Sequence, residues 1–497
     1  MNDNDKKLPP EQYASGAKEK KRIPIPVIIV IVFVLIVSVI FGGWYAMPSK
    51  HIKVAVLNKT VLSYAEDNGI NRDSVYRKHK GFFGILEQQK YTKGDGSYYN
   101  YTKDYYGPLL DDEGAYAGYN ELSDITGPVD LLYLSDAYGI EQKGVETTTY
   151  NDGITADEMS VISYCYESGA TVLTEMTMFS SPLSDSVYTQ LCAMCGVTPT
   201  GWLGRYIFDL QDFTDIPEWA RPWYEQQEGI EWRFTGPGIL LVSKDRILIF
   251  TQNEDFQSNN LLKIFVNEAY EDEFSGCRTA NFYNWFELVE PNYGTEQIAT
   301  YEFNFSTAGM EKFAEVSNTP RFAAVTRKTQ EGHAPVYYFA GDFNDYTSGR
   351  RYSNFLLSDK LYRFLSYDRQ GDITNFFWSF YSPMMIEILD EVEPIEENAA
   401  KEAHGETSRV AYGKFQVAKN GGWQDLEMKA VSINGCEPGE SEPGRDLSYY
   451  EKLISYASDL GANCIEAKEL LPPEFYSALL TYNTRNKNSP IYLMQTV

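Results

Sequence analysis

Carboxyl and phenol groups stand where apolar runs of this sequence end. Asp136 and Tyr138 close the stretch YLSDAYG, Glu175 sits in VLTEMTMF, and Asp342 follows the apolar part of YYFAGDFND. Strands that read as continuous apolar runs belong to sheets covered on both faces, and such sheets gather ligands beyond the carboxyl ends of their strands. Asp136, Tyr138, Glu175 and Asp342 are therefore candidate ligand-binding groups. Arg205 in TGWLGRY joins them, because a Gly-flanked turn beside a guanidinium suits an anionic or hydroxyl-rich ligand. Each has an ordinary structural alternative: an Asp after a strand caps the next helix, and Arg205 pairs with one of the carboxylates.

Other chemistry is poorly supplied. Cys192 and Cys195 form a C-x-x-C inside the helix-like run SDSVYTQLCAMCGV, with no second pair and no nearby His to complete a zinc set. The six cysteines, Cys165, Cys192, Cys195, Cys277, Cys436 and Cys464, are too sparse for a disulfide scaffold and read as buried or loosely paired thiols. With four histidines, His51, His79, His333 and His404, a His-rich metal centre is not expected, and no cofactor or metal site is assigned. Tyr is abundant at 38 residues, beside 27 Phe and 8 Trp; flat aromatics with a polar edge suit sugar rings and equally suit cores.

The candidate groups need a scaffold that brings strand ends together, and the middle of the chain reads as one. HIKVAVLNKTV is a buried strand, NRDSVYRKHKGFFGILEQQK is a helix packed on it, and a Tyr- and Gly-rich loop follows. Strand Val129–Ser135, helix Ala156–Glu167, strand Thr171–Met176 and helix Ser184–Met194 then alternate, the pattern of a doubly wound parallel α/β sheet. From 201 to about 316 short strands and turns take over, including a hairpin around Lys244-Asp245, and a β-rich insertion is expected. Parallel-sheet character is expected to return with RFAAVTRK and APVYYFAGDF, helices cover Ser353–Leu365 and Thr374–Leu389, and a domain of residues 51–390 closes there. An acidic, Ala-rich linker occupies 391–408. Residues 409–497 begin afresh with strands around an Asn420-Gly421 turn. Strand Ala430–Asn434, helix Ser448–Asp459, strand Asn463–Lys468, helix Pro473–Tyr482 and strand Ile491–Thr496 follow. Their spacing is that of β/α units, and the sequence is expected to stop partway through a larger domain of that kind.

Ile23–Trp44, IPIPVIIVIVFVLIVSVIFGGW, decides where these bodies lie. Val27–Gly43 carries no charge and crosses a hydrocarbon core of about 30 Å, which takes about 20 apolar residues. Lys18, Lys20, Lys21 and Arg22 precede it, so residues 1–22 are expected as a disordered cytoplasmic tail, with the bulk of the chain extracytoplasmic. A cleaved secretory signal is the alternative. The apolar run exceeds the usual signal core, no small-x-small site follows, and either reading exports residues 51–497. Trp44 and Tyr45 are expected in an interfacial aromatic belt. The formal charge is -27, and the tail's six basic and four acidic residues leave 37 basic and 66 acidic beyond it, a net -29. Such a surface repels phosphate backbones and anionic lipid, which argues against nucleic-acid partners; solubility alone is the ordinary reason for such a charge. Asn58, Asn100 and Asn304 head N-x-S/T triplets, which matter only in a glycosylating secretory pathway.

The alternation and the AGDF strand end resemble the class I glutamine amidotransferase-like fold over roughly residues 51–390. Active members of that family place a nucleophilic Cys on a Gly-x-Cys-x-Gly turn with a downstream His and Glu. Here the corresponding strand runs into Glu175-Met176 and no Cys has the flanking glycines, so the resemblance implies a binding or scaffolding unit without amidase activity. The stretches KAVSINGCEPG, YYEKLISYASDLGANCIEAKEL and PPEFYSALLTYNTRNKNSPIYLMQTV resemble the beginning of a (β/α)8 glycoside hydrolase of the glucanosyltransferase type. That family carries Gly-x-Asn-x-Ile-Arg in the second stretch, the Arg lying near the sugar-binding floor. Asn463 matches the Asn and Glu466 replaces the Arg, and both become candidate ligand residues by resemblance. A retaining glycosidase needs two carboxyl groups about 5 Å apart at later strand ends, so the catalytic pair would follow Val497 and no catalytic residue is named. The resemblance implies a membrane-anchored protein that binds or remodels cell-surface polysaccharide. The alternative is a non-catalytic assembly or scaffold subunit of an envelope or exopolysaccharide machine.

Overall fold

In the computed structural model, Ile25–Ala46 forms one helix of 22 residues, long and apolar enough to cross a membrane. The structure describes residues 24–61, 75–125, 127–139, 153–180, 183–345, 354–367, 369, 373–395, 408–411, 414–419, 422–433, 447–468, 471–486 and 489–495. The tail, the Asn420-Gly421 turn, Cys436, His404 and most of the acidic linker lie outside the described residues.

The main body is mixed α/β. Its eight-stranded sheet runs in the order Ala280–Asn281, Leu262–Val266, Thr295–Phe303, Arg321–Lys328, Val336–Phe339, Thr171–Glu175, Leu131–Asp136, Val54–Asn58. The last four strands are mutually parallel and every other junction is antiparallel, so the sheet is mixed and not wholly parallel as expected: Arg321–Lys328 runs against both neighbours, because an apolar run marks a buried strand without fixing its direction. Apolar runs such as LLYLSD and TVLTE are buried along their whole length because both faces are covered. On one face Tyr133 packs against Phe82 of the helix Arg77–Gln88, and Phe339 packs against Tyr381. On the other, Tyr338 meets Phe179, and the helix Asp185–Cys195 lies over Val336–Phe339. The helix Ala156–Glu167 starts on a reciprocal cap between Thr155 and Glu158.

The strands of the 201–316 segment are divided between two sheets. Leu262–Val266, Ala280–Asn281 and Thr295–Phe303 extend the main sheet. Gly238–Val242, Ile247–Thr251 and Trp285–Pro291 join Val197–Ile207 in a four-stranded antiparallel sheet. Periodicity reports that a stretch is a strand; its partner is set by pairing that the pattern does not carry. The Lys244-Asp245 hairpin is present, with Val242 opposite Ile247. The second sheet is stitched over the strand ends of the first: Asp342 N donates to Trp285 O, and Glu287 N to Ala340 O, both at 3.0 Å.

Residues beyond the linker have a core of their own. Ala430–Ile433, Cys464–Ala467 and Tyr492–Gln495 are parallel and adjacent in chain order. The helices Leu447–Asp459 and Pro473–Arg485 pack on each other and on the Ile433, Ile465, Ala467 and Leu493 face of this sheet. Ser408–Ala411, Lys414–Lys419 and Gly422–Asp425 form an antiparallel set in which Lys419 pairs with Gly422.

Trp44 departs from the expected interfacial belt. It is 2% exposed, its Nε1 donates to Gln88 O at 2.9 Å, and the Lys90 ammonium lies 4.5 Å from its ring centroid, whereas Tyr45 is exposed. The last turn of a helix leaves carbonyls without intrahelical partners, and the indole N–H takes one of them.

Candidate functional site

The helix Arg77–Gln88 begins at the carboxyl ends of the parallel strands with Arg77 and Lys78 as its first two residues, against the sense of the helix dipole. Three aspartates compensate. Lys78 Nζ lies 2.8 Å from Asp342 Oδ2, 3.5 Å from Asp136 Oδ2 and 3.6 Å from Asp345 Oδ2, while Arg77 Nε is 3.2 Å from Asp345 Oδ1. Lys78 points inward because it shares the buried side of its helix with Phe82, Ile85 and Leu86. Two glycines allow the approach. A Cβ on Gly81 would fall 2.5 Å from Asn344 Oδ1, and one on Gly341 would fall 2.4 Å from the Tyr301 hydroxyl.

Burial disfavours the charged Lys78, but Asp342, Asp345 and Asp136 together outweigh it and hold the ammonium well above its ordinary range. Burial pushes Asp342 up to about 6, against the pull of Lys78. Asp136 Oδ1 accepts from the Thr60 hydroxyl at 2.5 Å and from Tyr138 N at 2.8 Å, so strand end and turn are tied together. One layer deeper, Glu175 is completely buried. It accepts from Tyr133 Oη at 2.5 Å and Asn344 N at 3.2 Å, and burial raises it well above the carboxylate range. Its Oε2 and Asp342 Oδ1 have no hydrogen-bond partner among the described residues.

These groups open into a crevice of about 500 Å³. Lys78, Asp136, Asp342 and Thr60 give its polar side, Tyr138, Met176 and Thr177 continue from the parallel strands, and Leu203, Trp219, Val242 and Trp285 close it from the second sheet and its loop. Asp136, Tyr138 and Asp342 are therefore brought together as the strand ends suggested, and Glu175 lies behind them. Arg205 donates to Asp215 at 2.8 Å and lies 5.4 Å from the Trp285 ring centroid, bracing a crevice wall. Asn463 and Glu466 belong to the other parallel sheet. Asn463 accepts from Lys429 N at 2.7 Å and donates to Glu427 O at 2.8 Å, clamping neighbouring backbone. Glu466 is half-buried in register with Ser432 and Met494.

Thr60, Arg77, Lys78, Asp345, Trp219 and Trp285 were not among the candidates. Lys78 carried a signal: with Phe82, Ile85 and Leu86 it occupies the i, i+4, i+7, i+8 positions of the apolar stripe, where a lysine needs a counter-charge. Trp219 and Trp285 carried none, since their proximity is created by the pairing of distant strands. His79 is a core residue, bonded to Asn58 and to Tyr101 O at 2.7 Å each, and burial lowers it to about 4. Asn58, fully buried there, is no glycan acceptor in the folded chain. Cys192 and Cys195 are free thiols. Among the described residues no group of three or more His, Cys, Asp or Glu side chains is placed to hold a metal, and the Lys78 ammonium fills the point on which three aspartates converge. Compared with known proteins, the chain is matched by no family model, no curated protein and no solved structure.

Proposed function

We propose that this chain is a membrane-anchored, extracytoplasmic protein whose crevice binds a hydroxyl-rich segment of a cell-surface polysaccharide. The observation that carries the reading is the crevice's composition: Trp219, Trp285 and Tyr138 line the same space as Lys78, Asp136 and Asp342. Aromatic faces pack on the apolar side of a sugar ring while charged groups take its hydroxyls. Arg77 and Lys78 are matched by three aspartates, so among the described residues lining the crevice no surplus cation is left for a phosphate or carboxylate ligand. Binding is favoured over cleavage, because Lys78 stands between Asp136 and Asp342 and neutralises the pair that a glycosidase would need free. The C-terminal β/α units are read as glycosidase-barrel-like, supported by their chain-order strands and one-sided helix cover. Ile25–Ala46 is read as the anchor, with Lys18, Lys20, Lys21 and Arg22 keeping the tail inside.

A scaffold subunit of an envelope assembly is the second reading. The inward-turned ion cluster favours it, since paired buried charges also serve to fix a conformation. A glycan-binding screen of the full chain in lipid nanodiscs separates the two. The parent is expected to retain uncharged glycans, and Trp285→Ala to weaken them about tenfold, the order of one lost stacking ring. Absence of any glycan binding by the parent leaves the scaffold reading; binding untouched by Trp285→Ala removes the crevice as the site.

A further inference from the structure

One surface helix of the main body is apolar on its outer side. Ser358–Leu365 docks through Tyr362, whose ring centroid lies 4.8 Å from that of Trp378, through Arg363, which donates to Gly276 O at 2.7 Å, and through the buried Ser358 and Ser366. Leu357, Leu361, Phe364 and Leu365 form the opposite stripe at i, i+4, i+7 and i+8, and are 55%, 43%, 76% and 39% exposed. Tyr367 follows at 61%. Leu357 is left-handed, with φ 63°, so an outward leucine is held at the helix start against its backbone preference. Contiguous exposed apolar stripes mark interaction surfaces on a soluble body.

The neighbour of this stripe is the apolar N-terminal helix. Leu356 N donates to Ile40 O at 3.1 Å, the Phe355 and Phe41 ring centroids are 5.4 Å apart, and Leu356 Cδ1 takes up the space that a Cβ on Gly43 would need. Ile40 lies about 9 Å along the axis before the helix end at Ala46, so the contact is made within the apolar length of the span. Lys360 and Arg369 are exposed beside the stripe, each preceded in sequence by an aspartate, Asp359 and Asp368, so the surface is distinguished by its apolar residues and not by charge.

We propose that residues 355–367 are a second membrane contact: an interfacial helix lying in the same bilayer surface that Ile25–Ala46 crosses, with Leu357, Leu361, Phe364 and Leu365 at the acyl boundary. The proposal rests on the anchor reading of Ile25–Ala46. It is tested on the full purified chain in vesicles of phosphatidylcholine with a minor share of phosphatidylglycerol, carrying the photo-crosslinker p-benzoylphenylalanine at one of three positions. Val34 is in the span, Phe364 is in the stripe, and Tyr293 is fully exposed on a strand-connecting turn. Lipid adducts are expected at 34 and 364, each about tenfold or more above 293, as burial in acyl chains against water requires. An adduct at 34 with only background at 364 overturns the proposal and leaves the anchor. Crosslinking of 364 to a second copy of the chain overturns it in favour of a dimer contact. Background at 34 removes the anchor reading and the proposal with it.

Discussion

At the carboxyl ends of Leu131–Asp136 and Val336–Phe339, the side chains of Asp136, Asp342 and Asp345 turn onto one buried ammonium. On the strand Cys464–Ala467, Glu466 lies half-buried on the sheet face opposite the two helices, paired in register with Ser432 and Met494. Both regions are parallel strands with helical connections. The difference is a cover: the second sheet and the helix Arg77–Gln88 close over the first set of strand ends, so charge there is desolvated and has to be matched. A strand end becomes a crevice when something lies across it.

The largest test of this contrast is removal of the shared cation. Lys78→Met leaves three aspartates facing one another without water, and the full chain should lose about 3–5 kcal/mol of stability in urea unfolding followed by main-body fluorescence. Glu466→Gln should stay within about 0.5 kcal/mol in the same measurement. Equal losses would abolish the distinction between the regions.

Acidity gives the next effect. Burial raises Asp342 to about 6, Glu287 to about 7 and Glu175 well above its ordinary value. Each holds a proton in the fold at a pH where the unfolded chain has released it, so these three make stability fall as pH rises from about 4 to about 7. His79, lowered to about 4, acts oppositely between about 4 and 6.5, its contribution being lost as pH falls. Glu287 isolates one contribution: it is buried, and Tyr338 donates to it at 2.5 Å. The advantage of Glu287→Gln over the parent should grow from pH 5 to pH 7 and reach at most roughly 3 kcal/mol. A pH-independent difference would show that Glu287 is already ionised in the fold. Smallest of the three, Asn463→Ala should cost the C-terminal unit about 1–2 kcal/mol through two lost backbone contacts, and leave the main-body transition where it is.

Much of the scaffold was legible in the sequence because local pattern sets it. Ala156–Glu167 has the expected bounds, and Asp136 and Asp342 stand at buried strand ends as the apolar runs imply. The crevice's other half was not legible. Leu203, Val242 and Trp285 reach it through antiparallel pairing between strands about 40 and 80 positions apart, Val242 opposite Leu203 and Trp285 opposite Arg205, and no local rule encodes that register. Glu175 looked equivalent to Asp136, yet one faces the crevice and the other sits beneath it, because Tyr133 and the Asn344 amide draw it inward. Trp44 shows the same limit from the other side: its type and place suit a lipid boundary, but an unpaired helix-terminal carbonyl was close enough to claim it.

That carbonyl belongs to Gln88, and the helix that ends there begins at Arg77 and Lys78. Twelve residues make a strut of about 18 Å, with the indole wedged at its foot and the ammonium at its tip. One rigid element thus sets the separation between the crevice's cation and the last turn of the apolar N-terminal helix, so a displacement of either is handed to the other.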